Sequence, residues 1–171
     1  MDPNTLSPDL RRLFSGVELY TDHRPYALVS LPRDQMRPVT ILFGGLADPF
    51  AALIVDKAEI TVLMHELDWS LGSRGLTGMR VENDFRLITF DLVLDLDTVG
   101  FIAVVSRLLA EADLSLLPLA AYSRDHIFVR GRDFARAWKV LSDFIAECKQ
   151  IKDEPPTLRS DPSPSGGAGG R

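Results

Sequence analysis

Cysteine is almost missing. Of 171 residues only Cys148 carries a thiol, so no intramolecular disulfide can form and a cysteine-rich metal site is excluded. Histidine is scarce too: His23, His65 and His126 are widely separated, with no HxH or HxxxH spacing to hold zinc. His65-Glu66 begins like a metalloprotease HExxH, but position 69 is Trp. No apolar run approaches the about 18 to 20 residues of a membrane span. The opening MDPNTLSPDLRRLF lacks a continuous apolar core and does not read as a signal peptide. Positive charge is in deficit: 19 Lys and Arg against 24 Asp and Glu give a net charge of −5, which speaks against nucleic acid or a membrane surface as partner. Phosphate loops, cofactor fingerprints and nucleophile–base–oxyanion sets are absent, so no cofactor and no enzymatic activity are expected. Ser123, Asp125 and His126 are triad residue types, but neighbours in one short hairpin cannot line up as nucleophile, base and orienter. These absences leave a cytoplasmic, non-catalytic protein as the expectation.

What is present is a core: 46% of the residues are hydrophobic, enough for one domain or two half-size units sharing an interior. Residues 151–171 form a Pro/Gly/Ser-rich tail expected to stay disordered. Residues 1–24 read as an N-terminal extension, with Ser7 capping a helical turn that starts at Pro8. Tyr26–Leu31 and Val39–Phe43 read as strands, the first closed by Pro32 and the second by Gly44-Gly45. Phe50–Val55 and Ile60–Met64 flank a polar Asp56-Lys57-Ala58-Glu59 connection and read as a hairpin. Trp69–Thr77 reads as loop.

The second half has clearer periodicity. Phe85–Leu94 alternates as a half-buried strand, and Thr98–Ala112 places Val99, Ile102, Val105, Leu108, Leu109 and Ala112 at helical spacing, with Asp97 or Thr98 as the cap. Leu114–Ala121 reads as a strand that Pro118 confines to an edge or a bulge. Asp125–Val129 returns as its partner, and residues 132–148 form a closing helix whose buried face includes Phe134, Trp138, Leu141, Phe144 and Ile145. Asp91, Asp95 and Asp97 recur at even spacing, which fits a solvated strand edge and helix cap better than a cation site. The predicted class is α+β: ferredoxin-like βαββαβ, antiparallel, with helices packed on one face.

The stretch TVGFIAVVSRLLAEADLSLLPLAAYSRDHIFVRGRDFARAWKVL resembles the second half of the tandem ACT modules of the CASTOR-type arginine sensors and their small bacterial relatives. The shared pattern is a strand, a Gly at a helix start, an LAEA-type turn, a strand, an Asp-His hairpin and a final helix. Upstream, YALVSLP and FAALIVDKAEITVLM resemble the opening strand and hairpin of the same family. The resemblance implies two ACT-like units, residues 25–84 and 85–150. It implies an amino acid or similar metabolite as ligand, a homodimer that completes the site, and a regulatory role. The ligand-binding residues it implies are Glu59, Ile60, Thr61, Thr98, Val99, Gly100, Phe101, Ser123 and Asp125. Gly100 would let a carboxylate approach the helix N–H groups, and Asp125 or Glu59 would meet a cationic group. Ala120–Arg124 departs from the family's Ser/Thr-rich approach to the Asp-His pair, so a ligand other than arginine, or a ligand-free interaction module with the same fold, is the alternative.

Overall fold

The computed structural model describes residues 1–46 and 50–152; all but the first two residues of the expected tail lie outside them. Helix α1 (Pro8–Gly16) is capped by the Ser7 hydroxyl, which accepts the Leu10 N–H, with Pro8 at the first helical position. There follow β1 (Glu18–Tyr20), β2 (Pro25–Leu31), α2 (Met36–Gly44), β3 (Ala52–Val55), β4 (Ile60–His65) and α3 (Glu66–Gly72). The remaining elements are β5 (Arg80–Asp91), α4 (Phe101–Glu111), β6 (Leu117–Ala120), β7 (Asp125–Arg130) and α5 (Phe134–Lys152).

The strands form one antiparallel sheet in the order β3-β4-β2-β5-β7-β6. The twelve-residue β5 is common to two βαββα runs, β2-α2-β3-β4-α3 and β5-α4-β6-β7-α5. Its residues 80–86 pair with β2, and its residues 89–91 pair with β1, which continues the line of β2 along the same edge. The ferredoxin-like order thus appears twice, with β5 as the outer strand of the first run and β1 as the outer strand of the second. Asp84 takes a positive φ of 62°, and the β2–β5 register shifts between Tyr26 and Leu28.

Three buried clusters fill the molecule. Phe14, Phe90, Phe101, Val105, Ile127, Leu141 and Phe144 gather where α1, α4 and α5 cover the second run. Val29, Val39, Ile60, Val62 and Trp69 gather under α2 and α3. On the opposite face Tyr26, Leu63, Phe85, Leu87 and Phe128 form a third cluster, in which the Tyr26 and Phe128 rings lie 5.0 Å apart although β5 separates their strands. The sheet therefore curls on itself, and the middle of its helix-free face is buried as well.

Several local expectations are corrected. Val39–Phe43 is not a strand but the body of α2: Pro38 falls in the first turn, where a missing N–H costs nothing, and helical spacing turns Val39, Leu42 and Phe43 onto the second cluster. Residues 69–72 of the expected loop 69–77 belong to α3, which seats Trp69 in that cluster. Helix α4 starts at Phe101, with Gly100 at the cap position in place of Asp97 or Thr98. Trp138 is only partly buried; Ala137, Leu141 and Cys148 carry the inner face of α5.

Candidate functional site

Asp91 ends β5, and the chain crosses to α4 through residues 92–100. The Leu94 N–H donates to the Ser123 carbonyl at 2.9 Å, pinning this crossing to the turn between β6 and β7. That turn is closed by the Ala121 N–H on the Arg124 carbonyl at 2.9 Å. Between crossing and turn lies a cavity of about 170 Å³ lined in part by Leu94, Asp95, Thr98, Gly100, Phe101, Ile102, Ala121, Ser123, Arg124 and Asp125. This is room for several waters or one small metabolite.

Gly100 sits at φ +89°, a left-handed conformation that L side chains rarely adopt, and a Cβ there would meet Leu10 of α1 at 3.3 Å. No side chain caps the helix, so the N–H groups of Phe101, Ile102 and Ala103 have no intrahelical acceptor. The Phe101 ring points away, stacked on Phe14 at 4.6 Å, which leaves its backbone to the cavity. Arg124 is held outward by Asp91, Nε to Oδ1 at 2.8 Å. Asp125, opposite Ala120, lies half-buried on the helix side of β7, and burial pushes its carboxyl pKa up. His126 faces the other way: it is buried, its Nδ1 is 2.9 Å from the Thr89 hydroxyl, and burial followed by the nearby Arg124 charge pulls its pKa down.

Five of the nine expected residues, Thr98, Gly100, Phe101, Ser123 and Asp125, thus share one cavity. Val99 is 84% exposed and does not line it. The other three lie elsewhere. Glu59 and Thr61 line a separate groove with Ser30, Arg80 and Glu82, while Ile60 is buried on the opposite face against α2 and α3. The Glu59 carboxylate is already engaged: it accepts from the Ser30 hydroxyl and from Arg80 Nη2, the latter at 3.0 Å.

A polar cluster not anticipated from sequence ties the β1–β2 connection to β2, β4 and α3. Asp22 Oδ2 accepts from the Tyr26 hydroxyl at 2.7 Å and lies 2.6 Å from Nε2 of the buried His65, whose Nδ1 is 3.3 Å from Arg24 Nη1 and 3.5 Å from Asp68. Burial pushes the Asp22 pKa up, but the hydrogen bonds from Tyr26, His65 and the Arg24 amide outweigh it, and the net shift is downward.

Comparison with known proteins agrees with this architecture. Residues 80–143 match the sequence model of the ACT domain family. No curated protein matches the chain. Among solved structures, a protein of unknown function from Vibrio cholerae described as a possible transport protein is similar at 20% identity, TM-score 0.59, over 80% of this chain and 96% of that one. A protein from Agobacterium tumefaciens is similar at 15% identity, TM-score 0.55, over 75% and 88%. The ligand-free regulatory subunit of aspartate kinase from Thermus thermophilus is similar at 14% identity, TM-score 0.56, over 75% and 97%. At these identities the likeness is one of fold.

Proposed function

We propose that the chain is a regulatory module of ACT type, with residues 25–84 and 85–150 as its two units, that binds a small zwitterionic metabolite, an amino acid first of all, in the cavity between α4 and the β6–β7 turn. The observation that carries this reading is the pairing, in one cavity, of an uncapped helix start with a half-buried aspartate. Free helix N–H groups favour a carboxylate, and Asp125 suits an ammonium. The remaining lining is mixed: apolar Leu94 and Ile102 stand beside polar Asp95, Thr98, Ser123 and Arg124. A ligand there acts on an equilibrium between assembly states only through its differential affinity for them. The match to the ACT family model supports regulation as the role; a homodimer in the cytoplasm is the setting we propose for it.

The test is a thermal-shift screen over the common amino acids, in which a ligand at one hundred times its dissociation constant adds about 2.7 kcal/mol of stability. Calorimetry on Asp125→Asn then follows for any hit. Loss of a charge-assisted bond weakens binding roughly tenfold to a hundredfold. Unchanged affinity in the variant would move the ligand out of this cavity. The second reading, an interaction module without ligand, is favoured by Val93, Leu96, Val99 and Tyr122, each at least 64% exposed beside the cavity. No thermal shift with any amino acid would select it.

A further inference from the structure

Each run of the sheet carries two helices, and only one pair is covered. On the second run α1 lies against both α4 and α5: Phe14 stacks on Phe101 and meets Phe144 edge-on. Leu6, Leu10, Phe14 and Val17, at three- and four-residue spacing, turn one apolar stripe inward. The chain thus shows on itself how an amphipathic helix closes such a pair.

On the first run no described helix does the same for α2 and α3. The two meet at Gly72, where an added Cβ would collide with Leu42, and beside this contact runs a groove of about 500 Å³. Its walls include Pro38, Ile41, Leu42, Leu71 and Leu76, and Ile41 and Leu71 are 72% and 63% exposed. Leu67, one turn before Leu71, is 68% exposed as well.

The charges at the groove set the chemistry of what fits it. Arg74 lines it, and Arg37 stands one helical turn before Ile41 on the same face of α2. Both are exposed, and among the described residues neither has an ion-pair partner. Asp68, the acid in the lining, is turned to His65, 3.5 Å from its Nδ1. Two unpaired guanidinium groups therefore flank an apolar concavity in a chain of net charge −5.

We propose that the α2–α3 groove docks an amphipathic helix of another protein, one whose apolar stripe is flanked by acidic residues. The 9-residue α2 gives the groove a wall of about two and a half turns, so the stripe needs apolar side chains at i, i+3 or i+4, and i+7. Carboxylates beside that stripe meet Arg37 and Arg74, whose planar guanidinium groups suit two-bond pairing with a carboxylate. A bilayer is a poorer occupant, because a flat surface does not fill a concavity and the net negative charge repels anionic headgroups. The cavity by the β6–β7 turn and its ligand play no part in this docking.

Fluorescence anisotropy on the full chain tests it with two hydrocarbon-stapled peptides about three turns long. Both carry leucines at i, i+4 and i+7; one flanks them with glutamates, the other with lysines. The glutamate peptide binds with a dissociation constant of about 1 to 100 μM, and the lysine peptide binds at least about tenfold more weakly at low salt. Leu71→Asp abolishes binding while circular dichroism stays native, and Arg37→Glu combined with Arg74→Glu reverses the preference between the peptides. Val99→Asp, in the other run, changes neither. The proposal is overturned if the glutamate peptide does not bind below about 1 mM, if both peptides bind equally, or if the preference survives the double charge reversal. It is overturned as well if the chain alone forms a dimer that Leu71→Asp dissociates, or floats with phosphatidylserine vesicles and loses them on that substitution, since the groove then belongs to a second copy or to a membrane.

Discussion

The two βαββα runs meet the same geometric problem, how a strand enters a helix beside a hairpin turn, and they resolve it differently. In the first run the Arg33 guanidinium reaches from the entry to α2 across to the Asp56 carbonyl in the β3–β4 turn and ties that corner shut with the chain's own side chain. In the second run the corresponding corner has only the backbone bond from Leu94 to Ser123; its arginine, Arg124, is turned outward onto Asp91, and a cavity remains. The helices differ in the same sense. Those of the second run are long and roofed by α1, whereas α2 and α3 have 9 and 7 residues and leave Ile41, Leu67 and Leu71 more than 60% exposed. One half is thus built as a rigid frame around an open corner. The other has a closed corner and leaves the groove between its helices open.

The roof gives the largest expected difference between the halves. Phe14 is 1% exposed, stacked on Phe101 and edge-on to Phe144 at 5.3 Å, so Phe14→Ala should cost about 3–5 kcal/mol. Leu71→Ala, on the unroofed α3, should stay within about 0.5 kcal/mol. Chemical denaturation of both variants checks this. Equal losses would mean that the exposed helix face of the first half is covered in solution, and the contrast would collapse.

The polar cluster beside the first half comes next. Asp22→Asn leaves one oxygen where Tyr26 and His65 both converge on a carboxylate, and should cost about 1–3 kcal/mol. Because the folded-state pKa of Asp22 is depressed, its contribution is present above the usual value of 3.8 and is lost as pH falls through the lower folded value. The variant's stability should accordingly fall less steeply than the parent's at the acid end of the profile. His126 acts at milder acidity: its pKa is lowered from 6.5, so the fold favours the neutral ring and stability declines as pH drops below that value. His126→Gln should flatten that limb alone, as unfolding curves at a series of pH values would show.

The second run was the more legible in the sequence for physical reasons. Its helix faces are long enough to show a 3.6-residue period, and the turn Ala121–Arg124 is flanked by strands whose alternation is set by one buried face on each side. Pro118 could be placed at an edge because a proline in a central strand would break the ladder. The first run was misread at Val39–Phe43, where β-branched residues carry strand propensity but tertiary packing of Val39 decides for helix. Five of the cavity's lining residues were named from the sequence, because the family resemblance pointed to a helix start and a hairpin turn. Glu59 was drawn into the same site since nothing in one sequence reveals that Arg80, 21 residues on, already neutralises it. The Asp22–His65 contact spans 43 positions and left no local signal at all.

The closed corner offers a smaller effect. Arg33 is exposed, so Arg33→Ala should lower stability by no more than about 0.5 kcal/mol. It should nevertheless speed amide exchange at Ala58 and Glu59, whose turn the guanidinium ties down. Unchanged exchange there would mean that the Asp56 side chain, which accepts both amides, holds the turn without help.

The smallest expected effect on stability is at Asp125, and it separates a contact residue from a brace. Burial alone acts on its carboxyl, raising the pKa, so the fold disfavours the charged form that prevails at neutral pH. A raised carboxyl pKa lowers stability above the folded value, and the loss is recovered as pH falls through that value towards 3.8. Replacing Asp125 by Asn removes the disfavoured charge with little change in size. The variant should thus equal or slightly exceed the parent in stability at pH 7, by no more than about 0.5 kcal/mol, and the difference should vanish below about pH 4. A residue kept in the cavity despite that small cost fits a charge awaiting a cation. If Asp125→Asn is instead clearly less stable at pH 7, the carboxylate is bracing the β6–β7 turn, and the proposal that it binds a cation fails.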